Sequence, residues 1–402
     1  MKKIYIFTEF YPFGKGEAFL ENEIPILSKY FNKIVIISRL GIGKMRLTPD
    51  NVEVISLSNL STKRYKIEAI LRSVFSKKIF NEIINLKKRN ILNYTTLKAL
   101  VRFLYVGNHF FVIIRKKFNF SESIIYSYWF FTHAFTAIEL KKIYKNVKVI
   151  SRCHRYDLYE YRQKYSYLPM RKYLIDNVEK IYCISNDAKY YLQSRYNIKE
   201  NKLVIARLGT NDYGEQKYIF SEKLRIVSCS WAIPVKRLDR IYDALNRIDS
   251  IEIEWTHYGD GISLDELKHK WKIDSTHNIK INFYGEIENN RLMEEYKKNC
   301  FDVFLNVSES EGIPVSIMEA LSFGIPVIAT DVGANQEIVI DKNNGFLLHE
   351  PFKLDELVND LLLIKKMERS EYLQFRKNAR LSWKQRYFAQ DNYDDFVKSL
   401  LI

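Results

Sequence analysis

The sequence predicts an α/β fold of two doubly wound domains facing each other across a cleft. Three observations lead there. Short apolar runs, such as 4–7 and 34–37, alternate with helical patterns of about 10–15 residues, the signature of parallel strands covered by helices. The alternation runs twice, restarting after the polar stretch "RLGTNDYGEQ" at 207–216. A chain of 402 residues also exceeds what one hydrophobic core usually serves. The expected domains are 1–208 and 209–384, with a final helix over 385–402 packing back on the first.

The elements follow in order. Strands are expected at 3–7, 33–38, 123–129, 147–153 and 180–185, with helices over 19–31 and 132–144. A long polar and aromatic helical stretch separates the last two of these strands. In the second series, strands at 224–230, 251–259, 279–285, 302–308 and 326–330 alternate with helices over 237–248, 264–271, 289–299 and 314–324. "QEIVI" at 336–340 and a tail rich in helix formers complete the chain. Ligands in such sheets bind beyond the carboxyl ends of the strands.

Composition narrows the class. Hydrophobic content of 47% supports sizeable cores and excludes a disordered chain. No run approaches the roughly 18–20 apolar residues of a membrane span, and the N-terminal apolar run is too short for a signal-peptide core. The expectation is a cytoplasmic protein. Cys153, Cys183, Cys229 and Cys300 are widely spaced without a C-x-x-C pair, so reduced, mostly buried thiols and no zinc site are expected. Charge is uneven: residues 1–200 carry a net +20 and residues 201–402 a net −5. The densest block, 63–117, holds 14 basic residues against Glu68 and Glu82. Such a block attracts anionic partners. It mixes apolar and basic residues at helical spacing, which suggests docking on an anionic membrane; a merely solvated basic face is the plain alternative.

Two segments invite a ligand. "YPFGKGEAF" places Gly14 and Gly16 around Lys15 between the first strand and the first helix. It reads equally as a tight turn or as a backbone cradle for an anion at a helix start. It is neither a full dinucleotide-binding fingerprint nor a phosphate-binding P-loop. The second segment, "SESEGIPVSIMEALSFGIPVIATDVGANQEIV" at 308–339, is more telling. A strand ends in a polar loop, Gly312 gives backbone freedom, and Pro314 suits a first helical position. Glu311 precedes the helix and Glu319 lies just over one turn inside. Free N–H groups in the segment Gly312, Ile313, Pro314 and Val315, where the proline itself has none, suit a diphosphate, and the two carboxylates suit sugar and ribose hydroxyls.

This second segment resembles the E-x7-E signature of the retaining glycosyltransferases of the GT-B fold, in the large GT4 group. "EGIPVSIMEALSFGIPVIAT", "VGANQEIV" and "NNGFLL" match that pattern in order. "VSCSWAIPVKRLDRIYDAL" resembles the family's diphosphate segment: Ser230 lies in it and Lys236 takes the Lys position. Trp231 stands where many members have Arg, a departure that Arg237 would have to make good. "HYGDG" and "FYGEI", with Gly285, Glu286 and Ile287, look like the turns that receive base and ribose. "SRCHRYDLYE" resembles the loop that brings a histidine, here His154, to the donor sugar. "YPFGKGEAF" resembles the first glycine-rich loop. The resemblance implies two Rossmann-like domains and transfer of a sugar from a UDP- or GDP-sugar with retention. It implies Glu311, His154 and Lys236 at the reacting sugar and Glu319 on the ribose. It also implies no metal and no cofactor, with a glycan or lipid-linked acceptor. Two rivals stand beside it: a catalytically impaired nucleotide-sugar-binding subunit on the same fold, and a basic nucleic-acid-binding protein. The second is disfavoured because no nucleic-acid module is recognisable.

Overall fold

Strands buried on both faces must be apolar throughout, and the residues at 4–7 and 34–37 are at most 2% exposed in the computed structural model of the chain. The structure describes residues 3–14, 16–274 and 278–401. It divides into two compact units, Met1–Leu208 with Tyr393–Ile402, and Gly209–Asn392.

The first unit is built on seven strands: β1 (Lys3–Thr8), β2 (Lys33–Ser38), β3 (Val52–Ser56), β4 (Ile124–Ser127), β5 (Lys148–Cys153), β6 (Lys180–Cys183) and β7 (Leu203–Ile205). They pair in the order β3-β2-β1-β4-β5-β6-β7, every pairing parallel. Cys153 and Cys183 face one another across β5 and β6 as buried free thiols. The second unit has six strands: β8 (Leu224–Cys229), β9 (Ile253–Tyr258), β10 (Ile279–Gly285), β11 (Val303–Asn306), β12 (Val327–Thr330) and β13 (Gly345–Leu348). Their order is β10-β9-β8-β11-β12-β13, again all parallel. In each sheet the chain reverses its direction of winding once, between β1 and β4 and between β8 and β11. Beyond the carboxyl ends of those pairs lies the crevice where a doubly wound sheet receives ligands.

The helix Ala389–Leu401 supplies Phe396, Val397 and Leu400 to the core beneath β1 and β2. Buried Arg152 fastens it. Its guanidinium lies 4.4 Å from the Phe396 ring, donates to Tyr126 Oη (2.7 Å) and the Ala206 carbonyl (3.0 Å), and pairs with buried Glu23 at 3.3 Å. The chain rejoins the first unit at Tyr393, later than the 385 boundary expected, because the helix Arg369–Arg386 belongs to the second unit through buried Trp383, which donates to Thr210.

Several expectations need correction. β3 and β7 are edge strands whose half-exposed residues lack a continuous apolar signal. "QEIVI" begins in a short helix, Asn335–Ile338, and the last strand is β13. The aromatic stretch after β5 is not one long helix. It breaks into Arg155–Leu158, two short turns and Arg171–Asn177, with Tyr165 and Met170 in left-handed backbone. One helix, Tyr94–Ile114, is long and apolar enough to cross a membrane by length and composition, contrary to the expectation that no run approaches that length. Over half of its apolar window is buried, where Phe103, Leu104, Phe110 and Phe111 join the first unit's core.

Candidate active site

The second unit's site is assembled where β8 and β11 diverge. β8 ends at Cys229, and the turn after it is pressed against the "HYGDG" turn. A Cβ on Gly259 would lie 1.9 Å from the Ser230 carbonyl oxygen, and one on Gly261 would lie 2.3 Å from that of Ala232. Both glycines hold positive φ, so no side chain is compatible there. Ser230 N–H donates to the Tyr258 carbonyl (3.0 Å), and Gly259 N–H to that of Gly285 (2.8 Å). Gly285, at φ +69°, faces open space where a Cβ would point. Glu286 is exposed and Ile287 half-buried beside it.

After β11 the loop 307–314 leads into the helix Val315–Ser322, with Pro314 as its N-cap residue. The first-turn N–H groups of that helix have no intrahelical acceptor, and its dipole is positive at this end. Glu311 is buried on the same loop. Its Oε1 accepts from Lys236 Nζ at 2.5 Å and from Asn306 Nδ2 at 3.3 Å. Lys236 and Glu311, 75 positions apart in sequence, are thus brought together at the helix start. Glu319, also buried, accepts from Asn289 Nδ2 at 2.7 Å. Burial pushes its carboxyl up to about 7, against the lowering effect of the Asn289 hydrogen bond. Asn289 carried no signal in the sequence; it stands at the start of an ordinary surface helix.

Arg237 is engaged with groups of its own unit. Its Nε donates to the Val307 carbonyl (2.9 Å), its guanidinium pairs with Glu350, and its charge lies 5.4 Å from the Phe352 ring. The left-handed backbone at Arg237 (φ +49°) turns the side chain that way. Trp231 is 55% exposed. Lys236 is therefore the cation that the β8 segment brings to Glu311.

The turn under the Glu311 loop is equally constrained. Gly333 has φ +57°, and a Cβ there would lie 2.1 Å from the Glu311 carbonyl oxygen. Ala334 N–H donates to the Gly312 carbonyl at 3.0 Å. Gly333→Ala is expected to displace Glu311 and destabilise the unit by about 1–3 kcal/mol, the usual cost of forced left-handed backbone with a clash. Thermal unfolding of the variant checks the cost, and a wild-type melting curve would refute it.

In the first unit, the glycine-rich loop closes on itself. Gly14 (φ +58°) and Gly16 let the chain turn back so that Glu17 reaches the end of β1; Lys15 lies outside the described residues. The Glu17 carboxylate accepts from the N–H groups of Glu9 (2.9 Å), Phe10 (2.8 Å) and Tyr11 (2.6 Å), and from Trp129 Nε1 (2.5 Å). No Cβ contact limits Gly14, so the loop has room for a ligand there. His154 is buried between the rings of Tyr128 (4.5 Å) and Trp129 (4.9 Å). Neither ring nitrogen has a partner, and burial with nearby Arg152 holds its pKa far down, so the imidazole is neutral. Asp157 positions it: the carboxylate accepts from the backbone N–H groups of His154 (2.6 Å) and Phe130. Burial raises that carboxyl to about 7 despite those bonds and Arg171.

Of these residues Phe10, Gly16, Glu17, Trp129 and Asp157 border a cavity of about 680 Å³ inside the first unit. Glu9, Trp129, Thr132 and Tyr156 line it, with Lys98 and Arg102 on the helix at one side. Burial would raise the Glu9 carboxyl, but bonds from His133 and Arg39 outweigh it and hold it down to about 2. Among the described residues, no group of three His, Cys, Asp or Glu side chains clusters as a metal site.

The family model described as "Glycosyl transferases group 1" matches residues 211–382, nearly the whole second unit. The chain is 25% identical over 249 residues to the O-antigen biosynthesis glycosyltransferase WbnH of Escherichia coli, covering 60% of this chain and 65% of that one, just under two-thirds of the relative's length. Among solved structures, the lipopolysaccharide outer core galactosyltransferase WaaB in its apo form superposes with a TM-score of 0.67 at 15% identity, covering 99% of both chains. Anabaena Alr3699/HepE in complex with UDP and glucose gives 0.66 at 15% identity, covering 100% of this chain and 99% of that one. The chain thus has the GT-B fold of two Rossmann-like parallel-sheet domains, and its second unit is similar to the group 1 glycosyl transferases.

Proposed function

We propose that this protein is a retaining glycosyltransferase of the GT4 type. It moves a sugar from a UDP- or GDP-sugar to a glycan or lipid-linked acceptor in bacterial surface polysaccharide or glycoconjugate synthesis. The observation that carries the reading is the meeting of Lys236 and Glu311 at the start of the helix Val315–Ser322, with Glu319 buried one turn inside. In this reading the helix N-terminus and Lys236 take the diphosphate, and their fixed positive potential stabilises the charge that grows on it as the glycosidic bond breaks. Glu311 holds the donor sugar, Glu319 the ribose, and the Ser230 and Gly285–Ile287 turns the nucleoside. Neutral His154 offers a hydrogen bond to the sugar without adding charge. The departing phosphate accepts the proton of the attacking hydroxyl on the same face, so the anomeric configuration is kept. Fixed protein charges supply the stabilisation, and no metal or cofactor is invoked. Incubation with nucleotide sugars and an acceptor, followed by NMR of the product's anomeric proton, tests it; inversion would refute the mechanism.

Arg237's engagement with Glu350 favours a second reading, a nucleotide-sugar-binding subunit with impaired turnover. Donor binding without transfer to any acceptor would select it.

The membrane is the second partner in this proposal, placing the enzyme at the inner face of the cell membrane. The helix Lys63–Val74 is inverted: Ala69 and Ser73 form its buried face, while Ile67, Ile70, Leu71 and Val74 recur at i, i+3, i+4, i+7 and are exposed. Phe75, Phe80 and Ile84 extend the apolar surface, and Lys63, Arg64, Lys66, Lys77, Lys87 and Lys88 surround it. An amphipathic face with basic flanks binds anionic lipid at about 1 kcal/mol per basic residue near the surface. The protein is expected to float with phosphatidylglycerol vesicles at low salt and to be released at high salt. Flotation indifferent to lipid charge would contradict this.

A further inference from the structure

The cavity of the first unit has a chemical gradient. Its walls near β1 and β4 carry the aromatic faces of Phe10 and Trp129 with the Glu9 carboxylate and Thr132 hydroxyl, a surface suited to stacking on sugar rings and accepting their hydroxyl protons. At one side stand Lys98 and Arg102, four apart on the helix Tyr94–Ile114 and so on one face of it. Arg39 and His133, which also line the cavity, both lie against Glu9. Among the described residues neither Lys98 nor Arg102 forms an ion pair, and the Lys98 ammonium lies only against the Tyr94 ring, 5.9 Å from its centroid. Tyr94, Leu97 and Val101 on the same turns are exposed apolar residues. A ligand matching the cavity, its cationic side and the surface beside it carries a sugar, then an anion, then a hydrocarbon chain.

We propose that Lys98 and Arg102 bind the phosphate of a phosphate-linked glycolipid, whose sugar enters the cavity and whose chain runs over Leu97 and Val101. This deepens the transferase reading by naming the acceptor class, and it rests on that reading. Two cations one turn apart hold a phosphate or diphosphate through charge-assisted hydrogen bonds. The Arg adds a fork that a single Lys lacks.

The test is calorimetric titration of the full chain with farnesyl-diphospho-N-acetylglucosamine, N-acetylglucosamine 1-phosphate and octyl N-acetylglucosaminide. Wild type is compared with Lys98→Gln/Arg102→Gln and with Lys145→Gln/Lys148→Gln, which alters exposed basic residues outside both the cavity and the basic apolar face. The farnesyl diphosphate probe is expected to bind wild type and the 145/148 variant alike, and the 98/102 variant at least tenfold more weakly. The phosphate-free glycoside should be the weakest probe, and the soluble sugar phosphate weaker than the lipid. Equal binding to wild type and the 98/102 variant, equal binding of the phosphate-free glycoside, or no binding of the farnesyl probe overturns the proposal. A soluble sugar phosphate that binds as tightly as the lipid overturns its hydrocarbon part. UDP titrated into the same samples keeps the two readings apart. Its loss in wild type would indict the donor site, whereas a loss confined to the farnesyl probe in the 98/102 variant speaks for this one.

Discussion

Glu311→Gln is expected to lower kcat by about 10²–10³-fold while leaving the KM for the donor within a few-fold, the scale of removing one preorganised electrostatic group at a reacting centre. Gln keeps the shape of the side chain and its acceptor oxygen, so the hydrogen bond from Asn306 Nδ2 survives. In the proposed reaction what disappears is the negative charge beside the anomeric carbon, where positive charge would develop as the leaving phosphate departs. The substitution also strips Lys236 of its counterion, which it now meets at 2.5 Å. A freed ammonium binds the ground-state diphosphate at least as well, so the loss falls on turnover and not on binding. Initial-rate kinetics at varied donor concentration separate the two parameters. A variant with wild-type kcat would remove Glu311 from the reaction.

The second large effect falls on donor binding. Glu319→Ala is expected to weaken nucleotide affinity by about 10-fold to 100-fold, since a hydrogen bond to a buried charged group is worth about 1.5–3 kcal/mol. Its protonation adds a pH signature. In the free protein, burial raises the Glu319 carboxyl from 4.5 to about 7. A raised carboxyl favours the folded state when protonated: that contribution is full below about pH 4.5 and lost as pH rises through about 7. In the proposed complex two ribose hydroxyls would need the carboxylate as acceptor. Nucleotide binding should therefore release a proton below pH 7, and affinity should rise between pH 6 and pH 8. Titrations in buffers of different ionisation enthalpy count that proton. Glu319→Gln should flatten the profile; an unchanged profile in the Gln variant would assign the titration elsewhere.

The central strands and the Val315 helix were readable because their signals are local. A strand buried on both faces is an unbroken apolar run, and Glu311, Pro314 and Gly324 punctuate one helix within fourteen positions. The contacts that complete the candidate site are not local. Asn289 reaches Glu319 across 30 positions, and Glu17 folds back on β1 only because two glycines free the loop before it. Glu17 sits directly after that glycine-rich turn, and three successive N–H groups facing a turn are a known demand for a carboxylate; that was the available signal. Arg237 stands in left-handed backbone and pairs with Glu350, neither of which composition and spacing encode. The inverted helix 63–74 shows the same limit. Its apolar period is plain in the sequence, but which face meets the core depends on Ala69 and Ser73 fitting against Tyr94–Ile114, where Asn108 donates to Ser73.

The most direct test of the central claim is calorimetric titration of wild type and Glu319→Ala with UDP-, GDP- and ADP-sugars. One uridine or guanosine donor is expected to bind wild type, with its affinity at least tenfold lower in the variant. Binding of none of them, or equal binding to both proteins, would contradict a nucleotide-sugar site at the helix Val315–Ser322.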